Sequence, residues 1–252
     1  MKAFFFSVFY QPLLNVLWLL FLVLPGHSFG LAVIALTLII NVLLLPLNHK
    51  AKLSQRAMQA LEPELKAIQK QYKDNKEELA RKTWELYGKY KVNPFSGVLY
   101  PLVQIPVFIA LYRVFSKGST FQASHLYSFV PSSIQPEAIF LNAIDLTKAS
   151  LSFSGFPPKI LSYSGLLLAL CAGVAIFFQN KVMLTKKPEQ EQNEFARAMN
   201  TQARYFIPGL IFVISTQTPA ALSLYFTTSS LFGIVHEVLL QRRVRNHGTD
   251  KQ

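Results

Sequence analysis

The sequence predicts an all-α polytopic membrane protein, and three observations support this fold class. Hydrophobic residues make up 51% of the 252 residues and charged residues only 15%, a high apolar content for one soluble domain. Several uncharged stretches reach about 17 to 22 residues, enough for a helix to cross a hydrocarbon core of ~30 Å. The net charge of +12 is distributed unevenly between the loops. A soluble enzyme is therefore disfavoured.

Six apolar segments are the candidate transmembrane helices, because lipid tolerates only backbone whose polar groups are satisfied internally. They cover residues 4–24, 31–47, 98–115, 161–178, 205–215 and 220–240. The first segment, which dominates an N-terminal region 1–28, carries Gln11, Pro12 and Asn15 in its first half. It therefore either spans the membrane or lies along its surface as an amphipathic helix, and the sequence leaves both alternatives open.

The distribution of Lys and Arg predicts the orientation of the chain. The loop 48–96 carries 11 of them, the loop 181–204 carries 5 and residues 241–252 carry 4, whereas the loop 116–160 carries 3. Cytoplasmic loops of membrane proteins are enriched in Lys and Arg. The first three regions, including the C-terminus, are therefore predicted to be cytoplasmic, and the loop 116–160 to lie outside.

The long cytoplasmic segment 48–93 has the pattern of a helical hairpin. Apolar residues recur at helical spacing in two runs, which the sequence KDNK at 73–76 separates. The first run is Leu61, Leu65, Ile68 and Tyr72, and the second is Leu79, Leu86 and Tyr90. Pro63 is expected to kink or restart the first helix. The outer loop 116–160, rich in Ser, Pro and Phe, is predicted to be an irregular or partly interfacial connection.

Uncharged polar residues interrupt the predicted transmembrane helices. They are Thr37, Asn41, Gln104, Gln179, Asn180, Ser223, Tyr225, Thr227, Thr228 and Ser229. Polar groups at membrane depth face the interior of a helix bundle or a water-filled cavity. Hydrogen bonds between helices explain any single Ser or Thr. For Asn41 and Gln104 the sequence leaves two alternatives open, a packing contact and a shared hydrated groove, because each amide has four hydrogen-bonding sites to satisfy.

Residues for covalent or metal chemistry are not evident in the sequence. Cys171 is the single cysteine, so one chain cannot form a disulfide framework or a thiolate metal cluster. Motifs for phosphate binding, zinc hydrolysis or a nucleophilic serine are missing. The five histidines are scattered along the chain. We therefore expect no enzymatic activity, no cofactor and no metal.

Four stretches of the sequence resemble a known family. They are KVNPFSGVLYPLVQIPVFIALY (91–112), AGVAIFFQNKVMLTKKP (172–188), FARAMNTQARYFIP (195–208) and PAALSLYFTTSSLFGIV (219–235). Together with the charged hairpin and the order of the loops, they are similar to the YidC-type membrane protein insertases, relatives of the mitochondrial Oxa and chloroplast Alb insertases. The resemblance covers residues 29–243, which leaves a basic tail at 244–252. We therefore expect the compact form of the family, without the large extra domain that some bacterial relatives carry before the core.

The resemblance implies an insertase of the bacterial inner membrane, which lets helices of nascent membrane proteins enter the bilayer through a hydrophilic groove. Thr37, Gln104 and Tyr225 match groove positions of the family, and the polar residues Asn41, Gln179 and Ser223 complete the predicted groove. The hairpin is expected to contact substrates and targeting factors. The basic residues predicted to contact cytoplasmic partners are Lys66, Lys70, Lys73, Arg81, Arg242 and Arg243.

The partners that the resemblance implies are nascent membrane proteins and the lipid bilayer. The Sec translocon, the signal recognition particle receptor and the ribosome are further candidate partners, whereas a nucleic-acid substrate is not expected. For the C-terminal tail, orientation by positive charge is favoured over ribosome binding.

One position departs from the family pattern. Relatives usually carry an arginine in the first core helix, where this sequence has Asn41. A neutral amide forms hydrogen bonds but lacks the long-range attraction of a cation for acidic residues of a substrate. We hypothesise that hydration of the groove suffices without the charge. The alternative functions are an assembly chaperone without insertion activity and a small-solute transporter or channel.

Overall fold

The computed structural model describes residues 2–93, 96–116, 125–131, 138–141, 143–152, 159–183 and 202–249, and it confirms the all-α class. The chain divides into two compact units. The first unit comprises Met1–Asn41 and Phe108–Gln252, and the second comprises Val42–Val107. The boundaries between the units fall inside two helices.

The helices coincide with all six predicted apolar segments. An N-terminal helix consists of α1 (Lys2–Phe5), a π-helical turn (Phe6–Tyr10) and α2 (Gln11–Val23). The further helices are α3 (Phe29–Ala60), α4 (Glu62–Gln71), α5 (Lys76–Lys89), α6 (Ser96–Ser116), α7 (Tyr163–Met183), α8 (Ile207–Gln217) and α9 (Ala220–Thr249). A π-helical turn, Gln202–Phe206, precedes α8.

Three helices in the described part of the chain are both long and apolar enough to cross a membrane. They are Ala3–Val23, Phe29–Met58 and Tyr163–Met183, and a shorter apolar helix covers Leu102–Ser116. The predicted loop 181–204 lies mostly outside the described residues.

Helix α7 buries small residues and exposes large apolar ones, a pattern that is typical of a helix surrounded by lipid. Its buried face, which packs against α8 and α9, is made of small residues that include Gly165, Ala169, Ala172 and Gly173. Its exposed face carries the large apolar side chains Leu167, Leu170, Val174 and Phe178. Small residues let neighbouring helices approach closely within a membrane, where burial of apolar surface supplies little driving force. The helix therefore fits a bilayer and not an aqueous surface.

The segment 146–150 closes the turn between α8 and α9. The backbone amides of Ala220 and Ala221, at the start of α9, donate to the carbonyls of Lys148 and Leu146. The Ser150 amide donates to the carbonyl of Thr216 near the end of α8. Helix ends leave backbone groups without an intrahelical partner, and these three bonds satisfy them.

Two antiparallel strand pairs lie within the loop 116–160, which was predicted to be irregular. Strand β1 (Ile139–Phe140) pairs with β2 (Ile144–Asp145), and β3 (Leu151–Ser152) pairs with β4 (Lys159–Ile160). The expectation of an irregular connection is wrong for these residues. Because each strand is only two residues long, no alternating apolar pattern was available to reveal it.

The N-terminal helix is fixed to the irregular segment 125–131 by one polar face. The Asn15 side chain donates to the carbonyl of His125 (3.3 Å) and accepts from the amide of Tyr127 (2.7 Å). The indole nitrogen of Trp18 donates to the carbonyl of Pro131 (2.6 Å). Burial of Asn15 and Trp18 is tolerated because their polar atoms form hydrogen bonds with the backbone of this segment.

Both ends of the N-terminal helix connect to the C-terminal end of α6. At its start, the guanidinium of Arg113 lies 5.2 Å from the centre of the Phe5 ring. After its end, a single 3-10 turn (Pro25–His27) leads to Phe29, whose ring packs edge-on against Phe115 at 6.3 Å. The helix is itself about 30 Å long, whereas Arg113 and Phe115 differ by only ~3 Å along α6. Its axis therefore cannot run parallel to α6.

The second unit contains the predicted helical hairpin. Helix α3 ends at Ala60 and α4 begins at Glu62, with Pro63 in its first turn, so the proline restarts the helix as predicted. Asn75 caps α5 by accepting from the amide of Glu78, which ends the turn at KDNK. Across the hairpin, the Tyr90 hydroxyl donates to Glu64 (2.5 Å).

Candidate functional site

A cluster of neutral polar side chains lies between α3 and α9 in the first unit. On α3, the Thr37 hydroxyl donates to the carbonyl of Val33 (2.6 Å), and the Asn41 amide nitrogen donates to the carbonyl of Thr37 (2.8 Å). From α9, the Ser229 hydroxyl donates to the Asn41 side-chain oxygen (3.1 Å). Only 1% of Thr37 and 7% of Asn41 are exposed. We call these three residues, Thr37, Asn41 and Ser229, the neutral cluster.

The neutral cluster lies near the middle of its helices. Asn41 is 12 residues beyond the start of α3 at Phe29, and Ser229 is 9 residues beyond the start of α9 at Ala220. At ~1.5 Å per residue these separations are about 18 Å and 14 Å, close to half of a hydrocarbon core of ~30 Å. If both helices cross a bilayer, the neutral cluster lies at membrane depth.

The amide of Asn41 retains unused hydrogen-bonding capacity. A primary amide offers two donor hydrogens and an acceptor oxygen with two lone pairs. In the described residues, the bonds to the Thr37 carbonyl and from Ser229 use two of these four sites. The amide can therefore bind water or a polar backbone without giving up its present partners.

More buried polar groups extend along α8 and α9. The Ser223 hydroxyl reaches the carbonyl of Ser215 (3.4 Å), and the Thr227 hydroxyl donates to the carbonyl of Ser223 (2.8 Å). The hydroxyl of Ser215 is itself buried without a hydrogen-bond partner in the described part of the chain. Buried polar atoms of this kind are commonly satisfied by internal water.

Other predicted groove residues lie in different surroundings. Tyr225 is buried, and its ring packs against Phe226 with 5.6 Å between ring centres. Gln179 of α7 lies against Gly233 of α9, where an added Cβ would meet the Gln179 amide nitrogen at 2.1 Å. Gln104 is half-buried on α6 and belongs to the second unit. The structure thus links Asn41 with Thr37 by a hydrogen bond.

The predicted basic contact residues lie mostly on the hairpin. Lys70 and Lys73 are exposed and Lys66 is half-buried. Arg81 is exposed and pairs with Glu78 and Glu85 on its own helix. The hydrogen bond that Arg81 donates to the Glu78 carboxylate raises the pKa of Arg81. The remaining two, Arg242 and Arg243, belong to α9, and their side chains lie outside the described part of the structure.

Sequence reasoning missed two polar residues of α9. Ser229 was recognised as polar but not placed in the predicted groove, although it bonds to Asn41. Glu237 was not considered at all. It is buried, and Gln241 donates both to its carboxylate (3.1 Å) and to the carbonyl of Val182 on α7 (3.1 Å). Its position could have identified it, because Glu237 is the single acidic residue of the apolar segment 220–240 and a charge in a membrane helix is costly.

The fold and the neutral cluster define a class of protein: a multi-span helical membrane protein with uncharged polar groups buried between its helices. Comparison with known proteins identifies the family. Residues 21–247 match the model of the family described as 60Kd inner membrane protein, and the chain belongs to this family. The resemblance to YidC-type proteins is thereby confirmed, and the chain is a multi-pass protein of the inner membrane.

Several curated relatives cover most of the chain. The membrane protein insertase YidC of Fusobacterium nucleatum is 30% identical over 216 residues, which are 86% of this chain and 87% of that protein. The YidC of Clostridium tetani is 28% identical over 227 residues, 90% of this chain and 88% of that protein. The insertase MisCA of Bacillus subtilis is 31% identical over 222 residues, 86% of this chain and 72% of that protein.

Proposed function

We propose that the protein is a membrane protein insertase whose substrates are nascent membrane proteins. The observation that carries the proposal is the neutral cluster between two apolar helices, in which Thr37 and Asn41 are buried and Ser229 is half-buried. The names of the relatives, which are membrane protein insertases, support it. No covalent step, cofactor or metal takes part in the proposed activity.

The mechanism follows from the cost of moving polar groups through hydrocarbon. An amide without a hydrogen-bond partner costs roughly 2–7 kcal/mol in an apolar medium. Within the described residues, two sites of the Asn41 amide and the hydroxyl of Ser215 have no partner, so they can bond to water or to a passing peptide backbone. A substrate tail thus exchanges water for polar side chains, and its apolar helix then partitions into lipid, which supplies the driving force.

The groove of the proposed insertase works without the usual arginine. Asn41 in its place accepts and donates hydrogen bonds but has no preference for acidic tails. We propose that Thr37, Asn41, Gln104, Gln179, Ser223 and Tyr225 contribute to the groove, with Ser229 added. The loops 48–96 and 181–204 and the C-terminus are cytoplasmic in this proposal. The hairpin, through Lys66, Lys70, Lys73 and Arg81, and the α9 end, through Arg242 and Arg243, contact cytoplasmic partners.

The test is insertion of a radiolabelled single-span substrate into liposomes that contain the purified protein, scored by protease protection. Wild type is expected to insert the substrate above empty liposomes, and Asn41→Leu and Gln104→Leu to lose most of this activity. Val42→Leu, at an exposed position next to Asn41, is the matched control and keeps the activity. Asn41→Thr, which replaces the amide with a hydroxyl and so keeps a polar group, is expected to keep part of the activity.

Three results would contradict this proposal. Insertion that is unchanged in Asn41→Leu, with the protein equally stable, would exclude the neutral cluster from the groove. No insertion by wild type would favour an assembly chaperone that acts after substrates have entered the membrane. A many-fold gain in Asn41→Arg would mean that hydration alone does not replace the charge.

We also propose that the N-terminal helix lies along the outer membrane surface. Its two ends connect to the same end of α6, through Arg113 and Phe115. If α6 crosses the bilayer, a helix of about 30 Å with both ends at one depth lies in the plane of the membrane. Its polar face also satisfies the irregular segment 125–131, whose backbone needs partners near lipid.

Cysteine labelling distinguishes this arrangement from a transmembrane helix. Cys171 is the single cysteine, so Cys171→Ser gives a background without thiols. Ser7→Cys and Val23→Cys then place a thiol at exposed positions near each end. A membrane-impermeant maleimide applied to the outside of intact cells is expected to label both. Labelling of only one of the two would show that the helix spans the membrane.

A further inference from the structure

The indole of Trp84 lies on the outer face of the hairpin. Its exposed fraction is 56%, whereas that of Leu86, two residues further along α5, is 6%. Two residues correspond to ~200° around a helix, so the two side chains point in opposite directions. Leu86 packs into the hairpin, and Trp84 points away from it.

The surroundings of Trp84 on α5 are aromatic and open. The Tyr87 ring packs edge-on against the indole, with 6.2 Å between ring centres. One turn beyond Trp84, Gly88 has no atom within 4 Å of the position that a Cβ would occupy. Within the described residues, the face that carries Trp84 is therefore not covered at Gly88. Tryptophan and tyrosine are enriched where proteins meet the membrane–water interface, because each combines an apolar ring with a polar group.

The hairpin carries an excess of positive charge. Residues 50–91 contain 11 Lys and Arg against 6 Asp and Glu. Near Trp84, the charges of Arg81 and Lys82 are compensated by Glu78 and Glu85. Further along α5, the Lys89 ammonium lies 5.2 Å from the centre of the Tyr90 ring. Both residues are exposed, so this charge lies at the surface of the hairpin.

The second unit contains the hairpin together with helical segments that expose apolar side chains. The second unit, Val42–Val107, includes exposed apolar residues of α3 and α6, among them Leu43 and Leu102. The Ser54 hydroxyl donates to the carbonyl of Asn93 (2.8 Å), which closes the base of the hairpin. Trp84 lies five residues before the end of α5 at Lys89 and eight residues after its start at Lys76, so it is nearer to the C-terminal end of the helix.

We propose that the hairpin docks on an anionic lipid surface through the exposed face of α5, with Trp84 inserted between the headgroups. The exposed indole supplies the apolar anchor, and the net positive charge of residues 50–91 supplies the electrostatic attraction. The inference does not depend on the insertase activity, since it concerns only the hairpin and the bilayer that holds the protein. A protein partner on the same face is the competing outcome.

Tryptophan fluorescence tests this docking directly, because Trp18 and Trp84 are the two tryptophans of the chain. The full-length protein is placed in nanodiscs of zwitterionic phosphatidylcholine or of phosphatidylcholine with phosphatidylglycerol. The Trp84 signal is the wild-type spectrum minus that of Trp84→Phe, which leaves Trp18 untouched. We expect a blue shift of several nanometres and two-fold or stronger quenching by brominated lipid in the anionic nanodiscs. High salt reverses both.

Matched variants separate the contribution of the Trp84 side chain to lipid binding from that of the positive charge. Lys89→Gln with Lys91→Gln reduces the net charge without touching Trp84, and quenching is expected to need a higher fraction of anionic lipid. Val23→Ala, at an exposed position outside the hairpin, is expected to change nothing. The proposal is overturned if Trp84 keeps a water-like emission that brominated lipid does not quench in anionic nanodiscs. Shielding of Trp84 from iodide only after soluble proteins are added would assign the face to a protein partner instead.

Discussion

The bundle and the hairpin use polar residues in opposite ways. Between α3 and α9 the polar groups of the neutral cluster are buried or half-buried, and they are bonded to backbone carbonyls or to each other. On α5 the polar groups are charged, exposed and paired along one helix, as Lys82 is with Glu85. Exposed ion pairs contribute little to stability, whereas a buried polar group that loses its partner is costly. Substitutions are therefore expected to have large effects in the bundle and small ones on the hairpin.

Two glycines test this difference between the bundle and the hairpin. The larger effect of a substitution is expected at Gly30. A Cβ at Gly30 of α3 would lie 2.0 Å from the Phe140 ring of β1, so Gly30→Ala forces the ring out of its place. Overpacking of this kind costs about 1–3 kcal/mol. We expect a lower midpoint of thermal unfolding, followed by circular dichroism. In a Phe140→Ala background the same substitution should cost almost nothing; an equal cost there would refute the clash.

The opposite effect, a gain in stability, is expected for Gly88→Ala on the hairpin. A Cβ at this position meets open space, and Gly88 lies inside α5 without a positive φ angle. Alanine favours a helix over glycine by about 0.5–1 kcal/mol. Gly88→Ala should therefore slow amide hydrogen exchange in α5, and faster exchange would show that the glycine is needed there.

A smaller effect with a defined pH dependence is expected at Asp145, next to the segment that closes the α8–α9 turn. Partial burial raises the pKa of Asp145, but hydrogen bonds from Thr147 and Lys148 outweigh it and hold the pKa below its usual value. The carboxylate thus stabilises the folded state above the unfolded pKa, about 4, and this contribution is lost as the pH falls through the lower folded pKa.

Asp145→Asn removes that contribution at neutral pH. Faster amide exchange of Ala220 and Ala221, which donate to this segment, is the expected result at pH 7, and the difference from wild type should shrink as the pH falls below about 4. A difference that does not change with pH would mean that the ionised carboxylate is not responsible.

The smallest effect is expected at the exposed ion pair between Lys82 and Glu85. A hydrogen bond from Lys82 lowers the pKa of Glu85, yet both side chains remain accessible to water and the pair is screened by salt. Glu85→Gln should leave the midpoint of thermal unfolding unchanged within error. A clear drop would show that the charges of the hairpin stabilise it as strongly as the buried bonds stabilise the bundle.

Much of the helical architecture was predictable because its signals are local. The break at KDNK, the restart at Pro63 and the facing stripes of the hairpin each follow from helix periodicity and backbone restrictions. The same pattern rules could not find the two-residue strands β1 to β4, since pairing between distant residues fixes them. The pairing of Asn41 with Ser229 also joins residues 188 positions apart.

The sequence by itself determined that the protein is an all-α membrane protein and which residues are polar within its apolar helices. Hydrophobic content, helix length and charge distribution depend only on the order of residues. The tertiary structure decided which polar residues meet, that Asn41 bonds to Ser229, and that both ends of the N-terminal helix connect to one end of α6. These features depend on distances between segments far apart in the chain, and periodicity carries no information about such distances.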